Sequence, residues 1–230
     1  MTNQVLPRSC RGVRRGERLT NCSGDRCGRR YNAFTLIELI IVVGIIIVLA
    51  GLVLTTFGYA RKKGARARAE TEIAAISAAC ESYKADNGVY PLSSATNTLN
   101  ARTMFDPQVT DATAYKTASL VLYRAISGDR NLDRAVNATD GNFDIDGSAL
   151  NPPPSLPQAP RSYFTFKQNM LNPADQTLAV QYVSDAFGNS YGYSTANQAN
   201  AANGYNPTFD LWSTAAGSAS TDTAKWIKNW

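Results

Sequence analysis

The sequence contains no histidine, and only one of its four cysteines, Cys80, lies beyond residue 33. The absence of histidine excludes Ser-His-Asp and Cys-His catalysis and any metal site that needs an imidazole ligand. Cys22 and Cys27 have no second pair that would complete a four-ligand zinc site. No phosphate-binding glycine loop or pair of catalytic carboxylates stands out. We therefore predict no enzyme, and we interpret Cys80 as a small core residue.

Net positive charge is confined to the first 33 residues. These residues hold eight Arg and two acidic side chains, a net charge of +6, which leaves 15 basic and 16 acidic side chains, or −1, for the rest of the chain. We therefore predict no nucleic-acid surface on residues 34–230. A basic segment ahead of an apolar run fits the positive-inside rule and predicts a cytoplasmic amino terminus.

A long apolar run covers residues 34–59, and it contains no proline and a single charged side chain, Glu38. A bilayer core about 30 Å thick needs roughly 20 apolar helical residues, so this run is predicted to span a membrane once. It exceeds the apolar core of a signal peptide, and no A-x-A cleavage site follows it. Glu38 is a candidate functional residue because a charge inside such a run is costly.

The start of the run resembles the processing site of type IV pilins and type II secretion pseudopilins, with RRYNA at 29–33 followed by FTLIEL at 34–39. The resemblance implies that a prepilin peptidase cuts between Ala33 and Phe34 and that the new amino terminus, Phe34, is methylated. It also implies that Glu38 acts in filament assembly. The chain departs from the family at Ala33, where glycine is usual.

The same helix is predicted to continue beyond the membrane. Asn87-Gly88 is a helix-stop signal, and a helix from residue 34 to residue 87 is about 80 Å long at 1.5 Å per residue. Less than half of that length fits in lipid. The remainder carries an apolar stripe that is predicted to pack on a globular domain, formed by Ile73, Ile76, Cys80 and Tyr83.

These patterns divide the chain into four parts. Residues 1–33 are a basic leader that is removed, 34–59 are the membrane and filament-core half of the helix, and 60–88 are its amphipathic half. Residues 89–230 form an exported head with an enlarged insertion at about 95–175. Five prolines at 151–160 indicate an extended linker.

The resemblance to pseudopilins implies an α+β head, in which a small antiparallel sheet packs on the long helix. Residues 117–127 have the pattern of an amphipathic helix with Leu120, Tyr123 and Ile126 inward. Strand patterns occur at 178–183, 191–194 and 209–214, with a turn at 185–189. SDAFGNSYGY at 184–193 and NPTFDLWST at 206–214 resemble the major, G-type pseudopilin of type II secretion, which implies a pilin-like fold.

Two stretches are candidate calcium sites. The resemblance implies one calcium ion in the loop at 213–223, where Ser213 and Asp222 are the remaining candidate ligands. Calcium takes six to eight oxygen ligands, and with Asp222 as the single carboxylate we favour a loop without the ion, and no cofactor. The acidic run at 140–147 alternates oxygen ligands like an EF-hand, but Pro153 stands where the twelfth ligand, Glu, belongs. We interpret it as a polar turn.

The resemblance predicts a structural subunit of a type II secretion pseudopilus that drives protein export across the outer membrane. The alternative is a type IV pilin or minor pilin for adhesion, motility or DNA uptake. The partners implied are further copies of the chain, minor pseudopilins, the inner-membrane assembly platform and the prepilin peptidase. The implied location is the inner membrane, with one span and a periplasmic carboxyl-terminal domain.

Overall fold

The computed structural model describes residues 35–215 and 217–230. The leader at 1–33 and the predicted cleavage site at Ala33 and Phe34 lie outside the described residues. The described α-helices are α1 (Leu36–Asn87), α2 (Ser94–Thr98), α3 (Ala112–Ser127) and α4 (Ala196–Ala199). The described strands are β1 (Leu171–Asn172), β2 (Tyr182–Val183), β3 (Gly192–Ser194), β4 (Asp210–Ser213) and β5 (Ile227–Lys228). Short 3-10 helices cover Ala138–Asn142, Gln168–Met170 and Ser220–Lys225.

The long helix α1 has 52 residues and ends at the predicted stop signal. Gly88 has a φ of +77°, and its N–H donates a 2.7 Å hydrogen bond to the carbonyl of Lys84. Glycine adopts this left-handed conformation without a steric penalty, so it closes the last turn. By length and composition α1 can cross a membrane. Contacts divide the chain within α1, between Ala50 and Gly51.

The predicted apolar stripe on α1 is confirmed as part of the main hydrophobic core. Its four side chains are buried, and Ile76 and Cys80 are completely enclosed. They pack in one cluster with Leu122 and Ile126 of α3 and with residues of the sheet. Helix α3 falls inside the predicted insertion at 95–175, so that segment supplies part of this core.

Helix α3 begins earlier than the sequence predicts, at Ala112 instead of residue 117. Tyr123 and Ile126 are buried as predicted, whereas Leu120 is only partly buried. The additional turn carries Tyr115, which is completely buried in a second apolar cluster. The members of this cluster are far apart in the sequence, from Leu99 to Trp226, so the local spacing of apolar residues does not predict it.

The strands form two small antiparallel sheets, β1–β2 and β3–β4–β5. The α+β prediction is confirmed, as is the turn at 185–189, in which the Gly188 N–H donates to the Asp185 carbonyl at 3.1 Å. The strand predicted at 178–183 is too long, because only Tyr182–Val183 pairs. Leu178 lies in a turn, with its N–H directed to the Asp175 carbonyl, and the Val180 N–H donates to the Leu132 carbonyl at 3.1 Å.

A tryptophan-centred cluster packs against one face of the three-stranded sheet. Trp212 and Trp226 stack with ring centroids 5.8 Å apart, and Trp212 Nε1 donates a 3.0 Å hydrogen bond to the Tyr115 hydroxyl. Gly192 pairs with Trp212 across β3 and β4. A Cβ atom on Gly192 would collide with the indole ring of Trp212, so this position requires glycine.

Candidate functional site

Glu38 forms a capping box with Thr35 at the start of α1. The Glu38 carboxylate accepts hydrogen bonds from the Thr35 backbone N–H and from its hydroxyl, both at 2.9 Å. In return the Glu38 N–H donates to Thr35 Oγ1 at 3.3 Å. This reciprocal arrangement satisfies backbone donors that have no partner within the helix. The signal in the sequence was T-x-x-E at 35–38, which sequence reasoning missed.

The part of α1 around and after Glu38 exposes its apolar side chains on all sides. The large apolar residues from Leu36 to Leu54 are between 44% and 78% exposed. Such a surface is unfavourable in water and requires lipid or other apolar helices around it. The described chain therefore presents one carboxylate at the start of an otherwise apolar helix surface.

The two candidate calcium ligands, Ser213 and Asp222, are each engaged by a protein partner. Ser213 is completely buried, and its hydroxyl donates to the Asp185 carboxylate and accepts a 3.1 Å hydrogen bond from the Ala215 N–H. The Asp222 carboxylate forms a 2.7 Å ion pair with Lys225 Nζ. This hydrogen-bonded contact with Lys225 lowers the pKa of Asp222. Over 35–215 and 217–230, no three Asp, Glu, Cys or His side chains form a potential metal cluster.

The acidic run at 140–147 uses its carboxylates to cap backbone groups. Asp140 is buried and accepts hydrogen bonds of 2.8 to 3.0 Å from the N–H groups of Arg130, Asn131 and Asn137. Asp146 accepts a 2.7 Å hydrogen bond from the Ser148 N–H, and hydrogen bonds from the side chain and then the backbone of Ser148 lower its pKa. The Gly147 N–H donates to the Asp144 carbonyl at 3.0 Å, which closes the predicted turn.

A buried polar network joins α1 to the region of the three-stranded sheet. Glu72 is 7% exposed and accepts a 2.6 Å charged hydrogen bond from Arg68 and a 2.7 Å hydrogen bond from the Tyr191 hydroxyl. Nearby, Asp185 accepts 2.9 Å hydrogen bonds from the N–H groups of Phe187 and Asn189. Sequence reasoning missed this network. Its one local signal was the Arg68–Glu72 spacing of four residues beside the apolar stripe.

Comparison with known proteins gives one partial similarity. The chain is 38% identical over 69 residues to type II secretion system core protein G of Pectobacterium carotovorum subsp. carotovorum. The matched part is 30% of this chain and 44% of that protein, so the chain spans less than half the length of the relative that it matches. No protein-family model matches the chain. No solved structure matches it either.

The similarity agrees with the motifs and with the fold. The resemblance was drawn from the processing-site pattern at 29–39 and from the motifs at 184–193 and 206–214. The long helix and the small antiparallel sheets that it implied are present in the fold. The matched protein is a core component of the same secretion system that those features indicated. The recognition from sequence is thereby confirmed: this chain is similar to the G-type pseudopilins of type II secretion.

Proposed function

We propose that the chain is a structural subunit of a type II secretion pseudopilus, which assembles through α1 and drives protein export across the outer membrane. The observation that supports this most directly is the exposed apolar surface of α1 with Glu38 at its start. A subunit with this surface is stable in a bilayer, and it can leave the bilayer if other copies of the same helix cover it.

The proposal includes a maturation step before assembly. A prepilin peptidase removes residues 1–33, and Phe34 becomes the methylated amino terminus. The mature subunit remains in the inner membrane with its head in the periplasm until it joins the filament. Its further partners are minor pseudopilins and the inner-membrane assembly platform. Its role is structural and not catalytic.

Glu38 is proposed to set the position of each subunit along the filament. Apolar helix surfaces can slide past one another, because their attraction depends little on register. By resemblance to the family, the partner of the Glu38 carboxylate is the amino group of Phe34, in the same subunit or its neighbour. An ion pair with the neighbour fixes one register, since it is strong in surroundings that exclude water. The capping box with Thr35 holds the carboxylate close to the start of α1.

The experiment separates the charge of Glu38 from its capping role. Glutamine also occurs at the N3 position of a capping box, which Glu38 occupies here. Glu38→Gln therefore keeps the cap and removes only the charge. We expect Glu38→Gln and Glu38→Ala to insert into the membrane but to fail in assembly, and Glu38→Asp to be intermediate because its side chain is shorter. Thr35→Val keeps the carboxylate and should assemble normally. Sheared filaments and membrane-bound subunits are compared by cell fractionation.

The pattern across these variants decides between the two roles. If Glu38→Gln assembled like the wild type while Glu38→Ala did not, Glu38 would act as a helix cap and the register argument would be wrong. If both variants assembled normally, the apolar surface alone would direct the filament.

A further inference from the structure

A cationic groove lies between α1 and two loops of the head, the turn at 185–189 and the segment that precedes β5. It has a volume of about 730 Å³. One wall is a single face of α1, because its residues follow a spacing of three and four: Tyr59, Lys62, Lys63 and Arg66. The opposite wall belongs to the head and is formed by Phe187, Ala215, Gly217, Asp222 and Lys225. Four cationic side chains and one carboxylate therefore line the groove.

The head wall is held against the helix wall by Arg66. Arg66 Nη1 donates a 2.9 Å hydrogen bond to the carbonyl of Lys225, and its Nε pairs with Glu70 at 3.1 Å. The carboxylate of Asp222 is paired with Lys225 Nζ. Arg66 and Lys225 are thus each paired with a carboxylate of the protein. The groove is a formed pocket and not only a row of surface cations.

Lys62 and Lys63 supply the unbalanced positive charge of the groove. Both side chains are exposed, and neither forms an ion pair with a residue in the part of the chain that the structure describes. Lysine ammonium groups bind phosphate oxygens as point charges. The groove also contains apolar surface from Tyr59 and Phe187. Its ligand should therefore carry a phosphate next to an apolar group.

We propose that this groove binds the headgroup of an anionic phospholipid. The apolar run ends at Tyr59, which itself lines the groove, so Lys62 and Lys63 follow within about one helical turn of the predicted membrane surface. A lipid there places its phosphate between the two lysines and its glycerol and upper acyl chain on Tyr59 and Phe187. The proposal rests on membrane anchorage by 34–59, but it does not require filament assembly.

The test measures lipid selectivity of the full chain in nanodiscs of phosphatidylcholine that contain a minor fraction of phosphatidylglycerol. Native mass spectrometry of the released protein gives the ratio of the two lipids that remain bound. We expect phosphatidylglycerol to be enriched. Lys62→Ala and Lys63→Ala should each reduce that enrichment about fivefold, because each removes one direct contact with the lipid phosphate.

The matched control is Arg61→Ala, which removes one positive charge from the same neck of the helix but not from the groove. Arg61 instead lies over the ring of Phe57 at 4.7 Å. The enrichment should survive this change. An equal loss for Arg61→Ala would show that the general charge of the neck attracts the lipid, and no enrichment in the wild type would also overturn the proposal.

Inorganic phosphate distinguishes a lipid from a soluble ligand. Added phosphate should not displace phosphatidylglycerol, because it lacks the apolar part. If phosphate displaced the lipid and also bound in pure phosphatidylcholine discs, with the same dependence on Lys62 and Lys63, the groove would be a site for soluble anions. Glu38→Gln leaves the groove intact. Failed assembly with normal lipid enrichment in this variant would support a lipid site that is independent of filament assembly. Loss of enrichment in that variant would contradict the separation.

Discussion

The hydroxyl of Tyr191 donates a 2.7 Å hydrogen bond to the carboxylate of Glu72, across 119 positions of sequence. Tyr191 directly precedes β3 and is completely buried, and Glu72 lies on α1. Burial, and then the Glu72 carboxylate, raise the pKa of Tyr191, so its hydroxyl remains a donor at neutral pH. This bond fixes the three-stranded sheet on the helix at one register.

Tyr191→Phe should lower the free energy of unfolding by about 2 kcal/mol, the usual range for a buried hydrogen bond to a charged group. Glu72 keeps its contact with Arg68, so the carboxylate is not left without a partner. Denaturant unfolding of the purified chain measures the change. Tyr182→Phe is the control, because the Tyr182 hydroxyl has no hydrogen-bond partner within 35–215 and 217–230. Equal losses for both variants would contradict a specific role for the Tyr191 hydroxyl.

The stability of the protein should depend on pH through Asp185. Burial, despite the hydrogen bond from Ser213, raises the pKa of this carboxyl. The folded state therefore favours the protonated form, and the contribution of Asp185 to stability is greatest below its unfolded pKa of about 4. That contribution is lost as the pH rises through the higher pKa of the folded state.

Asp185→Asn should reduce this decline in stability, because the amide keeps the shape of the carboxyl and does not ionise. The decline should not disappear, since burial also raises the pKa of Asp129 and Asp210. The free energy of unfolding is measured from about pH 4 to neutral pH. Asp175→Asn is a suitable control, because hydrogen bonds from Thr177 lower the pKa of the exposed Asp175. A decline as steep in Asp185→Asn as in the wild type would show that other groups cause it.

Features of the fold that depend on neighbouring residues were predictable from the sequence. The end of α1 at Asn87 and its buried stripe follow from a stop signal and a helical period, and both were predicted. The short strand β2 and the early start of α3 were not, because each is decided by contacts with distant residues. For α3 the decisive contact is between Tyr115 and Trp212, 97 positions apart.

The candidate site shows the same division. Glu38 was identified because a carboxylate in an apolar run is conspicuous, but its capping bond with Thr35 was overlooked. The role of Lys225 beside Asp222 could not be predicted, because an ion pair three residues apart depends on the geometry of the 3-10 helix Ser220–Lys225. The burial of Glu72 could not be predicted either, because its partner Tyr191 is 119 positions away in the sequence.

Processing before Phe34 is tested by the mass of the membrane-bound protein. We expect a mature chain that begins at Phe34 with one added methyl group, in cells with an active prepilin peptidase. Ala33→Gly restores the residue usual in the family and should increase the processed fraction or leave it complete. An intact leader in both forms would contradict the predicted cut between Ala33 and Phe34.

Calcium should change the stability of this protein very little. An ion that binds only the folded state stabilises it by about 2.7 kcal/mol at a hundred times its dissociation constant, which is readily seen as a rise in melting temperature. In the loop at 213–223 the carboxylate of Asp222 is already paired with an ammonium group, because Lys225 Nζ lies 2.7 Å from Asp222 Oδ1. Ser213 is completely buried, its hydroxyl donates to Asp185 and its oxygen accepts a hydrogen bond from the Ala215 N–H, so it is held away from an ion in the loop.

Melting curves with added calcium and with a chelator should therefore coincide for the wild type. Lys225→Ala is the sharpest variant, because it frees the Asp222 carboxylate without changing the rest of the loop. Because one carboxylate is too few for calcium, we expect Lys225→Ala to melt at the same temperature with added calcium and with a chelator. A rise of several degrees in the wild type that Asp222→Ala abolishes would show that the loop holds the ion despite Lys225. A rise abolished by Asp144→Ala instead would place the ion in the acidic run at 140–147.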